Sequence, residues 1–275
     1  MIFHKLSLLL TFLNINYINC YSLNRLPFTI VNPIQKNTIE TNIIKTFESV
    51  DEANNNSIIF LPGLTSDTLP IESLYTDFLN IISQKNISVY IPNNDNMELM
   101  LDNIGKTNNN ITLVSHSNSA IQSIKLCNEY DFINNLILLD PINLPNNKNE
   151  DQIDFEIEDI NIINKKSNKK EKEKFIIDNI DNLLIIYTKF SNEWRILPVT
   201  FPIGHFNIKV KDLIVNENVS KNIIKVDSFG HFDILDNSWS SIIHNTVSKG
   251  CNDRSDDRIK QYHSWIAKKI YNLIN

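Results

Sequence analysis

One segment constrains the fold of this chain more than any other: Ile111-Thr112-Leu113-Val114-Ser115-His116-Ser117-Asn118-Ser119-Ala120-Ile121. A β-branched, apolar run stops abruptly at a cluster of small residues and then turns helical. Such a strand–turn–helix junction is so tight that a bulky residue two positions either side of its tip would strike the neighbouring backbone. Ser117 is the tip, and Ser115 and Ser119 are the flanks. The pattern predicts a nucleophile elbow, a serine in a strained backbone conformation with its hydroxyl presented beside a helix N-terminus. Glycine is the usual residue at both flanks, and serine replaces it twice. The plainer reading is an ordinary βα turn capped by serines.

The rest of the chain supplies the frame that an elbow needs. Compact apolar runs at 57–61, 88–91, 111–114, 136–139, 183–187 and 223–226 read as strands. Helical spacing separates several of them, as in Ile71, Leu74, Tyr75, Phe78, Leu79 and Ile82, and again over Met97–Ile104. A helix from about Asp257 to Leu273 closes the chain. Continuous apolar strands alternating with helices predict a mostly parallel sheet covered on both faces. The expectation is one α/β domain over 41–275, interrupted by a polar, charged excursion at about 146–178. Lys165–Lys174 is nearly all charge and reads as a solvated surface loop rather than a lid.

A formal charge of −6 argues against nucleic acid as the main partner, because phosphate binding needs a basic surface. The abundance of Asn, Ile and Lys reads as a genomic bias, so the sequons at Asn55, Asn86, Asn110 and Asn218 carry little weight. The N-terminus differs from the rest. Residues 1–20 combine Lys5, an apolar Leu6–Leu13 stretch and small or polar residues near Cys20, the layout of a secretory signal peptide. Residues 21–40 hold Arg25 and Lys36 but no acid before Glu40, which resembles a transit segment. Two destinations follow: a plastid reached through the endoplasmic reticulum, or a secreted or endomembrane location. The three cysteines, Cys20, Cys127 and Cys251, have no metal-ligand spacing and form no disulfide framework.

A serine hydroxyl needs a base within hydrogen-bond reach, and the base needs an orienting carboxylate. In α/β hydrolases these follow in the chain order Ser, acid, His, at strand ends. His231, in the loop after the 223–226 strand, stands where the base belongs. For the acid, the 183–187 strand is followed by no carboxylate until Glu193. Asp140, which ends the 136–139 strand before Pro141, is the first choice, Glu193 the reserve and Asp233 the third. Asn118 and Leu64 are expected to lend backbone N–H groups to an oxyanion hole. His116 reads as a packing and hydrogen-bonding residue. No cofactor or metal is required.

Several of these segments resemble the chlorophyllase family. Leu138-Leu139-Asp140-Pro141-Ile142 is similar to its Leu-Leu-Asp-Pro-Val stretch, and Phe229-Gly230-His231-Phe232-Asp233-Ile234-Leu235-Asp236 to its Tyr-Gly-His-Met-Asp-Met-Leu-Asp block. Ile58–Gly63, Leu184–Thr188, Pro202–Phe206 and Lys249-Gly250-Cys251 follow in matching order. The resemblance implies Ser117 as nucleophile, Asp140 as acid and His231 as base, acting on the phytyl ester of chlorophyll, a lipophilic substrate that would bring peripheral membrane contact. The chain departs from the family at its elbow, where Ser-His-Ser-Asn-Ser-Ala replaces Gly-His-Ser-Arg-Gly-Gly. Pro62 stands for a histidine and Asn143 for an aspartate. A lipase or carboxylesterase acting on other long-chain esters is the alternative, and a non-catalytic protein of the same fold is the third reading.

Overall fold

The computed structural model describes residues 43–47, 56–63, 72–84, 87–92, 97–107, 110–143, 174–193, 207–236 and 255–275. The chain divides into two units, Met1–Glu40 and Thr41–Asn275. The first, with the expected signal and transit segments, lies outside the described residues.

In the second unit, seven strands form one sheet: β1 (Ile43–Phe47), β2 (Asn56–Leu61), β3 (Ser88–Pro92), β4 (Asn110–His116), β5 (Ile133–Leu139), β7 (Asn182–Thr188) and β9 (Ser220–Val226). Their spatial order is β1-β3-β2-β4-β5-β7-β9. β1 runs antiparallel to β3, and every other neighbouring pair is parallel. Among the described residues, four helices pack on the sheet: α1 (Glu72–Ser83), α2 (Met97–Thr107), α3 (Ala120–Glu129) and α4 (Asp256–Ile274). This is an α/β-hydrolase fold, as expected.

Alternate residues of one strand serve opposite faces. On β2, Phe60 meets Tyr75 and Phe78 of α1 with ring centroids 4.9 and 6.0 Å apart, whereas Ile59 and Leu61 join the core beneath α2 and α3. Both faces are therefore dry, which is why the strands read as unbroken apolar runs. Polar residues cluster instead at the strands' starting ends. Asn110 donates to Asn56, Asn135 to Thr112, and Asn182 to Asn135, at 2.8–3.0 Å. Some of the asparagines that read as compositional bias thus tie β2, β4, β5 and β7 together.

Two features differ from the sequence reading. β1 was not expected, because a short run with a central lysine carries little period-2 signal. The polar excursion ends earlier than 178: Phe175–Ile177 forms β6, paired in parallel with β8 (Leu213–Val215). Phe175 and Ile177 are buried in the α3-side core while Ile176 faces outward. That strand is too short for its alternation to stand out beside the charge run.

Candidate active site

Register aligns the carboxyl ends of the strands. Leu61 pairs with Ser115, His116 with Leu139, Leu139 with Ile186, and Thr188 with Val226. Whatever follows each strand therefore meets along one edge of the sheet, the general location of ligand sites in open α/β sheets.

At the centre, His116 keeps extended backbone and Ser117 swings to φ 61° before the 3₁₀ turn Ser117–Ser119 leads into α3. A left-handed conformation costs a non-glycine residue about 1–2 kcal/mol, so surrounding contacts must enforce it. Three contacts do so. The Ser117 carbonyl accepts the Ile142 N–H at 3.2 Å. The Ser119 hydroxyl lies 2.8 Å from both the Leu61 and the His116 carbonyls. Gly63 closes over the turn so tightly that a Cβ there would sit 2.4 Å from the Ser117 Cβ and 2.7 Å from the His116 carbonyl. Ser115 is fully buried, and its hydroxyl has no hydrogen-bond partner among the described residues.

Ser117, His231 and Asp140 form one hydrogen-bonded line. His231 Nε2 is 2.8 Å from Ser117 Oγ, and Nδ1 is 2.7 Å from Asp140 Oδ2. A carboxylate only accepts, so Nδ1 carries the proton and Nε2 offers its lone pair to the serine O–H. All three residues are buried. Asp140 also has φ 49°, and its N–H donates to the Ile186 carbonyl at 2.7 Å. Its Oδ1 accepts the Thr188 N–H at 3.1 Å, and its Oδ2 accepts the Thr188 hydroxyl at 2.9 Å and the Ser191 hydroxyl. Burial pushes the carboxyl pKa up, but the bonds and charge of His231, with those of Ser191 and Thr188, outweigh it and hold the group below its usual value. The acid is therefore ionised at neutral pH.

A second histidine lies under the base. The rings of His116 and His231 are tilted, with centroids 4.8 Å apart. His116 Nε2 donates to the His231 carbonyl at 3.0 Å, and Nδ1 lies 2.8 Å from the Tyr75 hydroxyl. Burial and then the neighbouring His231 pull the His116 pKa down to about 3, so it is neutral. This matches the packing role expected of it.

The Gly-His-Phe-Asp-Ile-Leu-Asp block divides into one site residue and two anchors. Asp233 accepts the Gly230 N–H at 2.8 Å and so shapes the 3₁₀ turn His231–Ile234 that carries the base. Asp236 accepts the Asp77 N–H at 3.0 Å and donates its own N–H to the Leu74 carbonyl at 2.7 Å, fastening the turn to α1. Asp233, the third candidate for the acid, thus stands behind the base rather than on its Nδ1.

The structure brings together Ser117, Asp140 and His231, with Asn118 next in the elbow turn. Leu64 and the Glu193 side chain lie outside the described residues, as do Cys20, Cys251 and residues 202–206. Cys127 is a buried free thiol. Sequence reasoning missed Thr188 and Ser191. Thr188 ends β7 and Ser191 lies in the turn that follows, in the stretch noted only for lacking a carboxylate. Their hydroxyls serve the carboxylate that follows the neighbouring strand. Thr188 also borders a cavity of about 400 Å³ lined in part by Lys189, Lys209, Lys225 and Asp227.

No protein-family model and no curated protein sequence matches the chain. Among solved structures, the esterase domain of a Rhodothermus marinus protein is similar at 10% identity and TM-score 0.41, over 81% of this chain and 91% of that one. Est1E from Butyrivibrio proteoclasticus with ferulic acid bound is similar at 10% identity and TM-score 0.40, over 82% and 94%. A ferulic acid esterase from Streptomyces cinnamoneus is similar at 11% identity and TM-score 0.42, over 79% and 66%. Likenesses this remote carry no argument about the activity of this chain, which has to come from its own residues.

Proposed function

We propose that this chain is a serine ester hydrolase that works by two-step acyl transfer. The observation that carries the reading is the buried line Ser117–His231–Asp140, with both its hydrogen bonds at 2.7–2.8 Å. Ser117 gives its proton to His231 Nε2 as Oγ attacks the ester carbonyl. The carbonyl oxygen becomes an oxyanion held by backbone N–H groups, for which Asn118 and Leu64 are the donors. The tetrahedral centre then collapses, and the alcohol leaves with the proton from Nε2. Water, deprotonated by the same nitrogen, attacks the acyl-serine, and as the Oγ–acyl bond breaks Nε2 returns the proton to Ser117 Oγ and the acid leaves. Asp140 stabilises the imidazolium formed in each step and takes no proton itself. These residues do this chemistry unaided by a metal or organic cofactor.

The finer reading is hydrolysis of the phytyl ester of chlorophyll to chlorophyllide and phytol, at a membrane surface. Its support is the resemblance of the Asp140-Pro141 stretch and the Gly230–Asp236 block to chlorophyllases. The second reading is an ester other than chlorophyll, and its support is the departure from that family at the elbow, where Ser115, Asn118, Ser119 and Ala120 stand for Gly, Arg, Gly and Gly.

The test has two arms. A fluorophosphonate probe should label wild-type protein at Ser117 and leave Ser117→Ala unlabelled; labelling of neither removes the esterase reading. Incubation with chlorophyll a, an uncharged p-nitrophenyl ester and a triacylglycerol then sorts the substrates. Chlorophyllide among the products supports the finer reading, and turnover of the other esters alone removes it.

A further inference from the structure

The hydrogen-bond directions around His116 can be read off without ambiguity, and they lead out of the triad. A carbonyl oxygen only accepts, so His116 Nε2 must carry the proton it gives to the His231 carbonyl. A neutral imidazole has one N–H, so Nδ1 must accept, and the donor is the Tyr75 hydroxyl. The Tyr75 oxygen in turn accepts the Gly63 N–H at 3.4 Å. Burial, opposed by the Gly63 bond and aided by the charge of Asp236, holds the Tyr75 phenol well above its ordinary range, so it keeps its proton.

The result is a one-way chain from the Gly63 N–H through Tyr75 and His116 to the backbone of the base. Gly63 belongs to the loop that precedes Leu64. Its own N–H points to Tyr75 rather than to the site. A second tie fixes the same loop from the other side, where Ser119 reaches the Leu61 carbonyl while also touching the His116 carbonyl.

Resting on the esterase reading, we infer that Tyr75 and Ser119 are positioning residues: they fix the Leu61–Gly63 backbone against the nucleophile turn, and through His116 Tyr75 fixes it against the base. Neither touches substrate. They act by holding the oxyanion-side loop where its N–H group meets the developing charge. Such a donor must be in place before the reaction, because its contribution depends on needing no reorganisation. Serine at 119 is therefore more than a tolerated substitute for glycine. It supplies a bond that glycine could not make.

The experiment compares Tyr75→Phe, Ser119→Ala and Ser119→Thr with wild type on a p-nitrophenyl ester, with each rate divided by the sites titrated with a fluorophosphonate. For Tyr75→Phe and Ser119→Ala, kcat per titrated site should fall about 10-fold, less than the loss of a whole oxyanion donor, with KM within twofold. The Ki of a trifluoromethyl ketone, whose adduct puts an oxyanion in the same place, should rise by the same factor. Ser119→Thr, which keeps the hydroxyl, should stay within about threefold of wild type on both measures. If kcat per titrated site and Ki stay within twofold of wild type in both hydroxyl-deleting variants, the inference is overturned, even where the number of titratable sites or the melting temperature falls. A wild-type protein that neither reacts at Ser117 nor hydrolyses any ester overturns the esterase reading and this inference with it. That result is distinct from an active wild type with unaffected variants.

Discussion

At the scale of the residue, the site rests on hydroxyl groups as much as on its ionisable members. Asp140 shares its oxygens among His231, Thr188 and Ser191, so its charge is dispersed before catalysis begins. Removing that charge removes the force that selects the useful imidazole tautomer. Asp140→Asn should lower kcat by about 10⁴-fold with the fold intact, as burst-free ester hydrolysis and an unchanged circular-dichroism spectrum would show. Ser191→Ala leaves the carboxylate two partners besides the base. It should cost about 3–10-fold in kcat, in proportion to one lost charge-assisted bond partly replaced by water. Glu193→Gln should leave kcat within twofold; a collapse there would move the acid from Asp140 to Glu193.

At the scale of the element, the site is a meeting of strand ends, and the closest approach is between the end of β2 and the elbow after β4. Gly63 is bare because a methyl group would overlap the Ser117 Cβ at 2.4 Å, and a Cβ has no rotamer by which to escape. Gly63→Ala must therefore push the oxyanion-side loop away from the nucleophile. The expected result is a stability loss of about 1–3 kcal/mol by urea denaturation, the usual cost of overpacking. The accompanying loss of kcat should exceed that of Tyr75→Phe, because here the loop is displaced and not merely untied. α4 shows the same economy on the opposite face. Its buried residues Ile259, Tyr262, His263, Ile266, Ala267 and Ile270 lie along one stripe. Phe229, two residues before the base, stacks on Tyr262 with ring centroids 4.0 Å apart. The last helix thus backs the loop that carries His231.

At the scale of the whole molecule, burying a neutral histidine in the middle of the fold couples stability to acid. The His116 pKa is pulled from 6.5 down to about 3 in the folded chain. Between those two values the unfolded chain takes up a proton that the folded one refuses. Stability is therefore fully present above pH 6.5 and drains away as the pH falls toward 3, by up to about 1.4 kcal/mol per pH unit for this one proton. Asp140, held below its usual value, acts in the same direction at lower pH. Asp236, raised to about 6 chiefly by burial, acts oppositely: its penalty for ionising grows as the pH climbs from the ordinary carboxylate range through 6. Between about pH 4 and 6 these two opposed contributions nearly cancel, so denaturant unfolding at pH 4, 5 and 6 should show little slope in wild type. In His116→Asn the Asp236 contribution stands alone and stability should fall as the pH rises over that range, a slope about one proton lower than wild type; an unchanged slope would mean that His116 does not set it.

Ser117, Asp140 and His231 were legible as candidates because each sits past an apolar run, though chain order left Glu193 open as the acid beside Asp140; what the structure adds is their one hydrogen-bonded line. The strands of the central sheet were legible because a sheet dry on both faces leaves continuous apolar segments. Thr188 and Ser191 were not legible as partners of Asp140, since these bonds cross 48 and 51 positions of chain, and a hydroxyl in a loop has no pattern of its own. The same holds for Tyr75, which reads as one more apolar position on a helix until its hydroxyl is seen between Gly63 and His116. The sequence by itself determined which chemical groups stand at the strand ends and in what order. Only the tertiary structure decided which backbones those groups hold in place, because hydrogen-bond partners are chosen by distance in space after the sheet has set its register.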